Sequence, residues 1–253
     1  MGRSAFEQRW RRRFTERGSL LDDDAGIAGW TPTGLETRVR QFRRLWDAEA
    51  RPPGLWLDIG CGAGTYTRLL HREGHRLLGM DYAVPSLHKA RGRGDPQADG
   101  LEWASADILR LPLRDGQADG IICFGVMQAL SDPRPALAEL CRVLKPGGEL
   151  WVDALNARCG PTRLAEWRRQ RRGRPPHLRY DRPDGFLRVA RNAGLEPLAV
   201  EWLPILPARL QRLQWTLESR PARALWRWLP PVGALLSHSF ILRARRPAAL
   251  CQE

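Results

Sequence analysis

LWLDIGCGAGTYTRLL, residues 55–70, joins an apolar run to three glycines spaced by two and then to a helix-like run. The apolar run predicts a buried β-strand, and Gly60, Gly62 and Gly64 predict a tight turn into a helix. Such turns often bind an anion or a nucleotide-like ligand, although they also occur without one. The dinucleotide-binding pattern would need glycine at position 65, where this chain has Thr65. The turn therefore indicates a ligand site but does not identify the ligand.

From residue 51 onward, runs of strand length alternate with helical patterns. The predicted strands are residues 55–59, 76–81, 101–106, 119–125, 148–154, 196–203 and 237–245. This alternation is typical of a three-layer α/β fold of the Rossmann-like kind, in which helices cover both faces of a mostly parallel sheet. Ligands of such sheets bind beyond the carboxyl ends of the strands. Because the first predicted strand ends at the glycine turn, we expect the site there.

The composition favours a globular protein over a membrane-spanning, secreted or disulfide-stabilised one. The chain has 253 residues, a net charge of +13 and 43% hydrophobic residues. No apolar run approaches the roughly 18 residues that span a membrane, and the N-terminus has no apolar signal segment. The five cysteines are an odd number without a C-x-x-C pair, so reduced thiols and no metal site are expected. We therefore expect a cytoplasmic protein.

Acidic residues lie at the ends of three predicted strands. Asp81 can accept hydrogen bonds from both hydroxyls of a ribose, which by itself would also suit NAD. Asp107 can accept from an exocyclic adenine amine, with Ile108 against the ring. Asp58, just before the glycine turn, would attract an α-ammonium group and repel a pyrophosphate. Asp58 therefore favours a ligand with an amino-acid portion over a dinucleotide.

Five segments in order resemble the successive motifs of class I S-adenosylmethionine-dependent methyltransferases. They are LDIGCGAG, GMDYA, ADILRLPL, ADGIICFGVMQAL and ALAELCRVLKPGGELWVDA. The branch that they most resemble includes quinone-biosynthesis and related small-molecule methyltransferases. The resemblance implies a seven-stranded sheet with an antiparallel last strand, and S-adenosylmethionine as the cofactor. It also implies these cofactor-binding residues: Asp58, Gly60, Cys61, Gly62, Gly64, Asp81, Tyr82, Asp107, Ile108 and Phe124.

We predict two regions in the chain. Residues 1–50 form an N-terminal helical cover, and residues 51–253 form the methyltransferase domain, with a helical insertion at about 204–236 before the last strand. The cover contains one helix capped by Ser4 and a second helix that begins near Thr33, with an irregular loop between them.

The acceptor side is less regular in sequence. Transfer from a sulfonium requires alignment of acceptor, methyl group and sulfur, and a general base only where the acceptor must lose a proton. Gln128 stands where histidine is common in this family, which leaves its role open. His177 and Tyr180 are the candidate bases, although His177 also suits an ordinary solvated loop. The residues expected to line the acceptor pocket are Trp10, Trp30, Tyr66 and Gln128.

The predicted acceptor is a small organic molecule, apolar or lipid-linked, that is methylated on oxygen or carbon. The insertion at 204–236 is rich in Arg, Trp and Leu, which suits either a lid packed on the sheet or a helix on an anionic membrane surface. The arginine-rich segment 163–174 is either a solvated helix face or a binder of a phosphate or carboxylate on the acceptor. We therefore expect a small-molecule substrate; the lid is the favoured interpretation of the insertion, and peripheral contact with the inner membrane surface, which is compatible with a lid, stays open beside it.

Two other functions remain open at this stage. The net charge favours an RNA or DNA methyltransferase, but the segment CFGVMQ lacks the ending typical of adenine-amino methyltransferases, so nucleic acid is not the favoured partner. The acceptor side contains no residue that must be catalytic. A cofactor-binding partner protein without activity of its own is therefore the third possibility.

Overall fold

The computed structural model describes residues 3–94, 98–174, 177–206 and 208–248. The strands are β1 (Leu55–Ile59), β2 (Arg76–Asp81), β3 (Leu101–Ser105), β4 (Ala118–Cys123), β5 (Leu144–Leu155), β6 (Glu196–Leu203) and β7 (Ser239–Arg245). They form one sheet in the order β3-β2-β1-β4-β5-β7-β6. β1 to β5 pair in parallel, and β7 runs antiparallel between β5 and β6. The predicted seven-stranded, mostly parallel sheet with an antiparallel last strand is confirmed.

Helices cover both faces of the sheet. They are α1 (Ala5–Leu20), α2 (Asp24–Ala28), α3 (Pro32–Trp46), α4 (Thr65–Arg72), α5 (Val84–Gly92), α6 (Arg134–Val143), α7 (Gly160–Arg171), α8 (Pro183–Asn192), α9 (Gln214–Glu218), α10 (Arg220–Trp228) and α11 (Pro230–Leu236). Phe42 of α3 and Leu70 of α4 are fully buried in one core cluster. Leu140 of α6 and Phe186 of α8 are buried in a second cluster. The two clusters give the sheet its three-layer arrangement.

Short polar side chains set the beginnings of the N-terminal helices. Ser4 Oγ accepts a hydrogen bond from the backbone N–H of Glu7 at 3.2 Å, as predicted for α1. The predicted start of the next helix near Thr33 needs correction, because Thr31 caps α3 by accepting from the Gly34 N–H at 3.1 Å. The predicted irregular loop between these helices contains the short helix α2.

The segment between β6 and β7 is largely helical. A 3-10 turn at Ala208–Leu213 precedes α9, α10 and α11. Within this segment Trp215 is 70% exposed and Trp228 is 83% exposed, so neither indole is held in the core. Among the described residues, no helix has both the length and the apolar character needed to cross a membrane.

The strand order positions the site. β2 and β3 follow β1 on one side of the sheet, whereas β4 and β5 lie on the other side. The crevice for a ligand therefore opens beyond the carboxyl ends of β1 and β4, where the order reverses. α1 contacts α5 and the short 3-10 turn Met127–Ala129 that follows β4. The N-terminal cover thus closes this end of the sheet.

Candidate active site

A cavity, here called the main cavity, lies between the carboxyl ends of the parallel strands and the N-terminal helices. All but one of the predicted cofactor residues line it, together with three of the four predicted acceptor residues. These are Asp58, Gly60, Cys61, Gly62, Asp81, Tyr82, Asp107, Ile108, Phe124, Trp10, Trp30 and Tyr66. The exception, Gly64, lies behind the turn as the N-cap of α4, and the Trp103 ring occupies the place of a Cβ there.

The glycine turn is shaped by close packing as well as by backbone angles. Gly60 and Gly62 have φ values of 77° and 54°, in the region that favours glycine. A Cβ on Gly60 would also collide with a methyl group of Val126. The backbone N–H groups of Gly60 and Cys61 both donate to the carbonyl of Met80, at 2.7 and 3.1 Å. The turn is therefore held against the end of β2 and leaves room beside it for a ligand.

Asp58 places a carboxylate beneath the turn in nearly complete burial. It is 2% exposed and accepts a hydrogen bond from Thr67 Oγ1 at 2.6 Å. Burial raises the pKa of Asp58 to about 7, even though the Thr67 hydrogen bond opposes the shift. A cation bound in the cavity would favour the ionised form of this carboxylate.

Asp81 at the end of β2 is fixed by backbone donors. Its two oxygens accept from the N–H groups of Gly62 at 2.9 Å and Ala83 at 2.8 Å. Burial raises the pKa of Asp81, and these backbone hydrogen bonds oppose that effect. Each carboxylate oxygen has a second lone pair, so both can also accept from a ligand hydroxyl.

The outer edge of the main cavity is closed by arginines of the N-terminal segment. Asp107 forms ion pairs with Arg3 and with Arg11, the latter at 3.2 Å. The Arg11 guanidinium also lies 4.2 Å from the centre of the Tyr82 ring. Burial alone would raise the pKa of Asp107, but Arg3, the Leu109 N–H and Arg11 lower it overall. Arg11 of α1 thus contacts two of the residues that were predicted to bind the cofactor, Tyr82 and Asp107.

The opposite end of the main cavity is built around the end of β4. Trp30 packs against Gly125, where a Cβ would lie 2.9 Å from the indole ring. Asp153 of β5 accepts from the Gly125 N–H at 2.7 Å and from Arg38 Nη1 at 2.8 Å. The Arg38 guanidinium lies 4.5 Å from the centre of the Trp30 ring. A buried ion pair therefore fixes both the backbone after Phe124 and the indole wall.

A second cavity of about 250 Å³, here called the side chamber, adjoins the main cavity. It is lined by Trp10, Phe14, Arg17, Ala28, Gly29, Trp30, Thr31, Gly34, Arg38, Gln128, Leu155, His177, Leu178, Ile205 and His238. Trp10, Phe14, Ala28 and Trp30 also line the main cavity, so the two spaces meet at these four residues. Its volume is close to the roughly 300 Å³ at which small-molecule pockets begin.

The two candidate bases have different positions. His177 lines the side chamber, and its backbone carbonyl accepts from Trp10 Nε1 at 3.0 Å. Burial, with nearby arginines, lowers the pKa of His177, which keeps the imidazole neutral at pH 7. Tyr180 lines neither cavity; its ring lies edge-on to His238 at 6.4 Å, and burial raises its pKa to about 12. The structure therefore does not support the predicted role of Tyr180.

Gln128 and Tyr66, which were also predicted to line the acceptor pocket, lie in different cavities. Gln128 lines the side chamber rather than the main cavity, and its buried Oε1 lacks a hydrogen-bond partner among the described residues. Tyr66 is 7% exposed and packs edge-on against Phe124 at 4.9 Å. Burial raises the pKa of the Tyr66 phenol far above its ordinary value, so Tyr66 serves as a wall and not as a base.

Several site residues were missed by reasoning from sequence. Arg11 and Arg17 lie among the many arginines of α1, and Arg3 lies just before that helix, so nothing in the sequence distinguished these three from the other arginines. Asp153 could have been predicted as an ion-paired residue, because a carboxylate inside a predicted buried strand requires a partner. Arg38 is that partner, with its side chain 6% exposed and that of Asp153 1% exposed.

Known proteins share this domain. The family model described as a methyltransferase domain matches residues 57–152. A probable tRNA methyltransferase 9B from Bos taurus is 40% identical over 118 residues, which cover 46% of this chain and 23% of that protein. A ubiquinone biosynthesis O-methyltransferase from Idiomarina loihiensis is 25% identical over 193 residues, covering 71% of this chain and 79% of that protein.

A solved structure shares the fold. An S-adenosylmethionine-dependent methyltransferase from Mesorhizobium loti superposes with a TM-score of 0.59 at 17% identity, covering 81% of this chain and 97% of that one. The chain spans only about a quarter of the length of the tRNA methyltransferase 9B relatives that it matches. What is common to these proteins is therefore the domain around the main cavity.

Proposed function

We propose that the chain is a class I S-adenosylmethionine-dependent methyltransferase that transfers a methyl group to oxygen or carbon of a small organic acceptor. The match of residues 57–152 to a methyltransferase domain and the similarity to a ubiquinone biosynthesis O-methyltransferase support this proposal. The observation that carries this proposal is the arrangement of the two cavities. Carboxylates lie at the ends of β1 and β2 in the main cavity, and the Trp30 indole lies where this cavity meets a second one. One space suits the methyl donor and the other suits the acceptor.

The residues of the main cavity fit S-adenosylmethionine. Asp58 would attract its ammonium group, Asp81 would accept from its ribose hydroxyls, and Asp107 would accept from its adenine amine. Once bound, the cofactor supplies a methyl group that the positive sulfur already activates. Cys61 and Phe124 add apolar walls.

The chain's own task is alignment. Trp30 is held by Gly125 on one side and by Arg38 on another, so the acceptor would meet a rigid wall beside the end of β4. Holding two reactants in register can lower the barrier by about 7–11 kcal/mol. Where the acceptor must lose a proton, His177, which lines the side chamber, is the candidate base, and a base there would add roughly 10²–10⁴-fold to the rate.

Calorimetry with S-adenosylmethionine and with NADH tests the proposal. We expect S-adenosylmethionine to bind and NADH not to bind. Binding of NADH alone would contradict the cofactor assignment. Acceptor-dependent formation of S-adenosylhomocysteine would then exclude a partner protein without catalysis.

RNA methylation is a second candidate that two observations favour. The chain has a net charge of +13, and three relatives that are 39–40% identical over 118 residues are named probable tRNA methyltransferase 9B. Binding to bulk tRNA, measured at increasing salt, discriminates between the candidates. A steep decrease in affinity with salt, together with methylation of the RNA, would favour RNA; no retention at low salt would exclude it.

We also propose that the α9–α11 segment contacts an anionic membrane surface. Trp215, Trp228 and Leu213 are exposed there, alongside the exposed Arg212. Exposed indoles beside arginines are typical of helices that lie on anionic lipid. This arrangement supports an acceptor that is itself apolar or lipid-linked.

Vesicle co-sedimentation tests the membrane contact. Vesicles with anionic lipid should retain the protein better than vesicles of neutral lipid, and Trp228→Ala should weaken retention. Trp167→Ala, which removes a 48% exposed indole from α7, is the matched control. Equal retention on both kinds of vesicle, or equal losses in the two variants, would contradict the proposal.

A further inference from the structure

The side chamber is positively charged. Two arginines line it, Arg17 and Arg38, and none of the described residues that line it is Asp or Glu. Arg38 is balanced by the buried Asp153 outside the chamber, so Arg17 supplies the excess charge. The two histidines of the chamber, His177 and His238, do not change its charge at neutral pH, because burial lowers the pKa of both, that of His238 to about 4. An enclosed space with fixed guanidinium groups and no carboxylate on its surface favours an anion.

Arg17 is the group that distinguishes this chamber from an ordinary ion-paired surface. Its side chain is half-buried and lies across Gly29, where a Cβ would collide with Arg17 Nη1. Within the described ranges no carboxylate forms an ion pair with Arg17, and its guanidinium donates no hydrogen bond. The planar guanidinium therefore presents its N–H donors to the chamber, in the geometry that matches a carboxylate or a phosphate.

The rest of the chamber is built for a flat, partly polar molecule. Trp10, Phe14 and Trp30 supply apolar ring faces. Gln128 Oε1 is buried without a partner among the described residues, so a ligand hydroxyl could satisfy it. Arg38 already donates to Asp153 through Nη1, which fixes its guanidinium beside the Trp30 ring.

We propose that the side chamber binds the anionic end of the methyl acceptor, a carboxylate or phosphate carried on an aromatic ring, with Arg17 as the primary anion ligand. This inference rests on the proposed function, since it takes the main cavity as the site of the methyl donor. Trp30 packs against Gly125 immediately after Phe124, so the wall of the chamber is also the wall at the end of β4. Because the two cavities share Trp10, Phe14, Ala28 and Trp30, a ring held beside Trp30 would lie next to the main cavity while its anionic end stays at Arg17.

Isothermal titration calorimetry of the full chain with small probes tests this inference. The probes are benzoate, phenyl phosphate and neutral benzamide, titrated with S-adenosylhomocysteine at saturating concentration so that the main cavity is filled. At least one anion should bind about tenfold or more tightly than benzamide. The tighter of the two anions identifies the group as carboxylate or phosphate.

Substitutions of two arginines in α1 test where the anion binds. Arg17→Gln should weaken anion binding by about tenfold or more. Arg17→Lys keeps the positive charge but lacks the planar guanidinium, so it should weaken anion binding less than Arg17→Gln does. The lysine variant replaces the glutamine variant in the test if the latter fails to fold. Arg12→Gln is the matched control, because Arg12 is exposed on the same helix and lines neither cavity. We expect the control to bind the anion as the wild type does.

The outcomes separate the two proposals. Equal binding of benzoate, phenyl phosphate and benzamide, or equal losses in Arg17→Gln and Arg12→Gln, would overturn the anion site. Displacement of the anion by bulk tRNA in an Arg17-dependent manner would also overturn it, in favour of a nucleic-acid backbone. Failure of S-adenosylhomocysteine to bind contradicts the proposed methyl transfer, whereas failure of the anions with it bound contradicts only the anion site.

Discussion

Replacing Asp58 by asparagine should stabilise the ligand-free protein and at the same time weaken its hold on the cofactor. Asp58 is 2% exposed, and burial raises its pKa from 3.8 to about 7. Ionising it in the folded chain is therefore costly, and each pH unit between those two values corresponds to about 1.4 kcal/mol. The full penalty above pH 7 is about 4 kcal/mol.

The effect of Asp58 on the free energy of unfolding changes with pH in a direction that follows from its raised pKa. Below about pH 4 the carboxyl group is protonated in both folded and unfolded chains, so it has no effect on stability. Between about pH 4 and pH 7 the unfolded chain releases the proton first, and the free energy of unfolding falls as pH rises. An asparagine at this position cannot ionise. The free energy of unfolding of Asp58→Asn minus that of the wild type should therefore increase by roughly 3 kcal/mol from pH 5 to pH 8.

Urea unfolding at pH 5, 6, 7 and 8 measures this difference. Contributions that do not change with pH, such as an altered hydrogen bond to Thr67, shift the whole curve without changing its slope. Asp119→Asn is the control of opposite sign, because Lys145 and the Leu55 N–H lower the pKa of Asp119 overall although burial opposes them. That variant should lose most stability at neutral pH and least in acid. A stability difference for Asp58→Asn that is constant with pH would refute the reasoning.

Other substitutions probe the site in the same way. Asp81→Asn should reduce S-adenosylmethionine affinity by about tenfold or more in calorimetry, and unchanged affinity would mean that the ribose assignment is wrong. Arg38→Met leaves the Asp153 carboxylate buried without its ion pair, so urea unfolding should show a loss of about 3–5 kcal/mol, and an unchanged midpoint would argue against a fixed indole wall. Gly60→Ala combines a φ of 77° with a collision against Val126, so it should lower stability by at least about 1–2 kcal/mol and weaken cofactor binding.

Much of the fold was predictable because its signals are local. The apolar runs and the glycine turn marked the parallel strands to within a few residues, and the acids at positions 58, 81 and 107 marked the cavity. β5 is an exception, since it begins at Leu144 and not at residue 148. Its first residues pair with Ala118 across a register shift, and pairing between strands is not visible in one strand's pattern.

The acceptor side was less predictable because its contacts link distant parts of the chain. Trp10 and Trp30 were identified as wall residues, but the pairing of Arg38 with Asp153 spans 115 positions and has no local pattern. Tyr180 was favoured because a loop after β5 returns to the same edge of the sheet, yet its ring lies against His238, outside both cavities. The return of this loop to the carboxyl edge of the sheet was predictable from the sequence, whereas the direction in which the Tyr180 side chain points was not.

Asp153 has a consequence for how this protein could be re-engineered. One of its oxygens holds the Gly125 N–H at the end of β4, and the other holds Arg38 on α3. Asp153 is thus one of several joints between residues 3–46 and the sheet, beside the ion pairs that Arg3 and Arg11 form with Asp107. Under the proposed function, chimeras that exchange residues 3–46 for the equivalent section of a known methyltransferase should change the acceptor and keep the donor, provided that the graft retains arginines able to reach both Asp153 and Asp107.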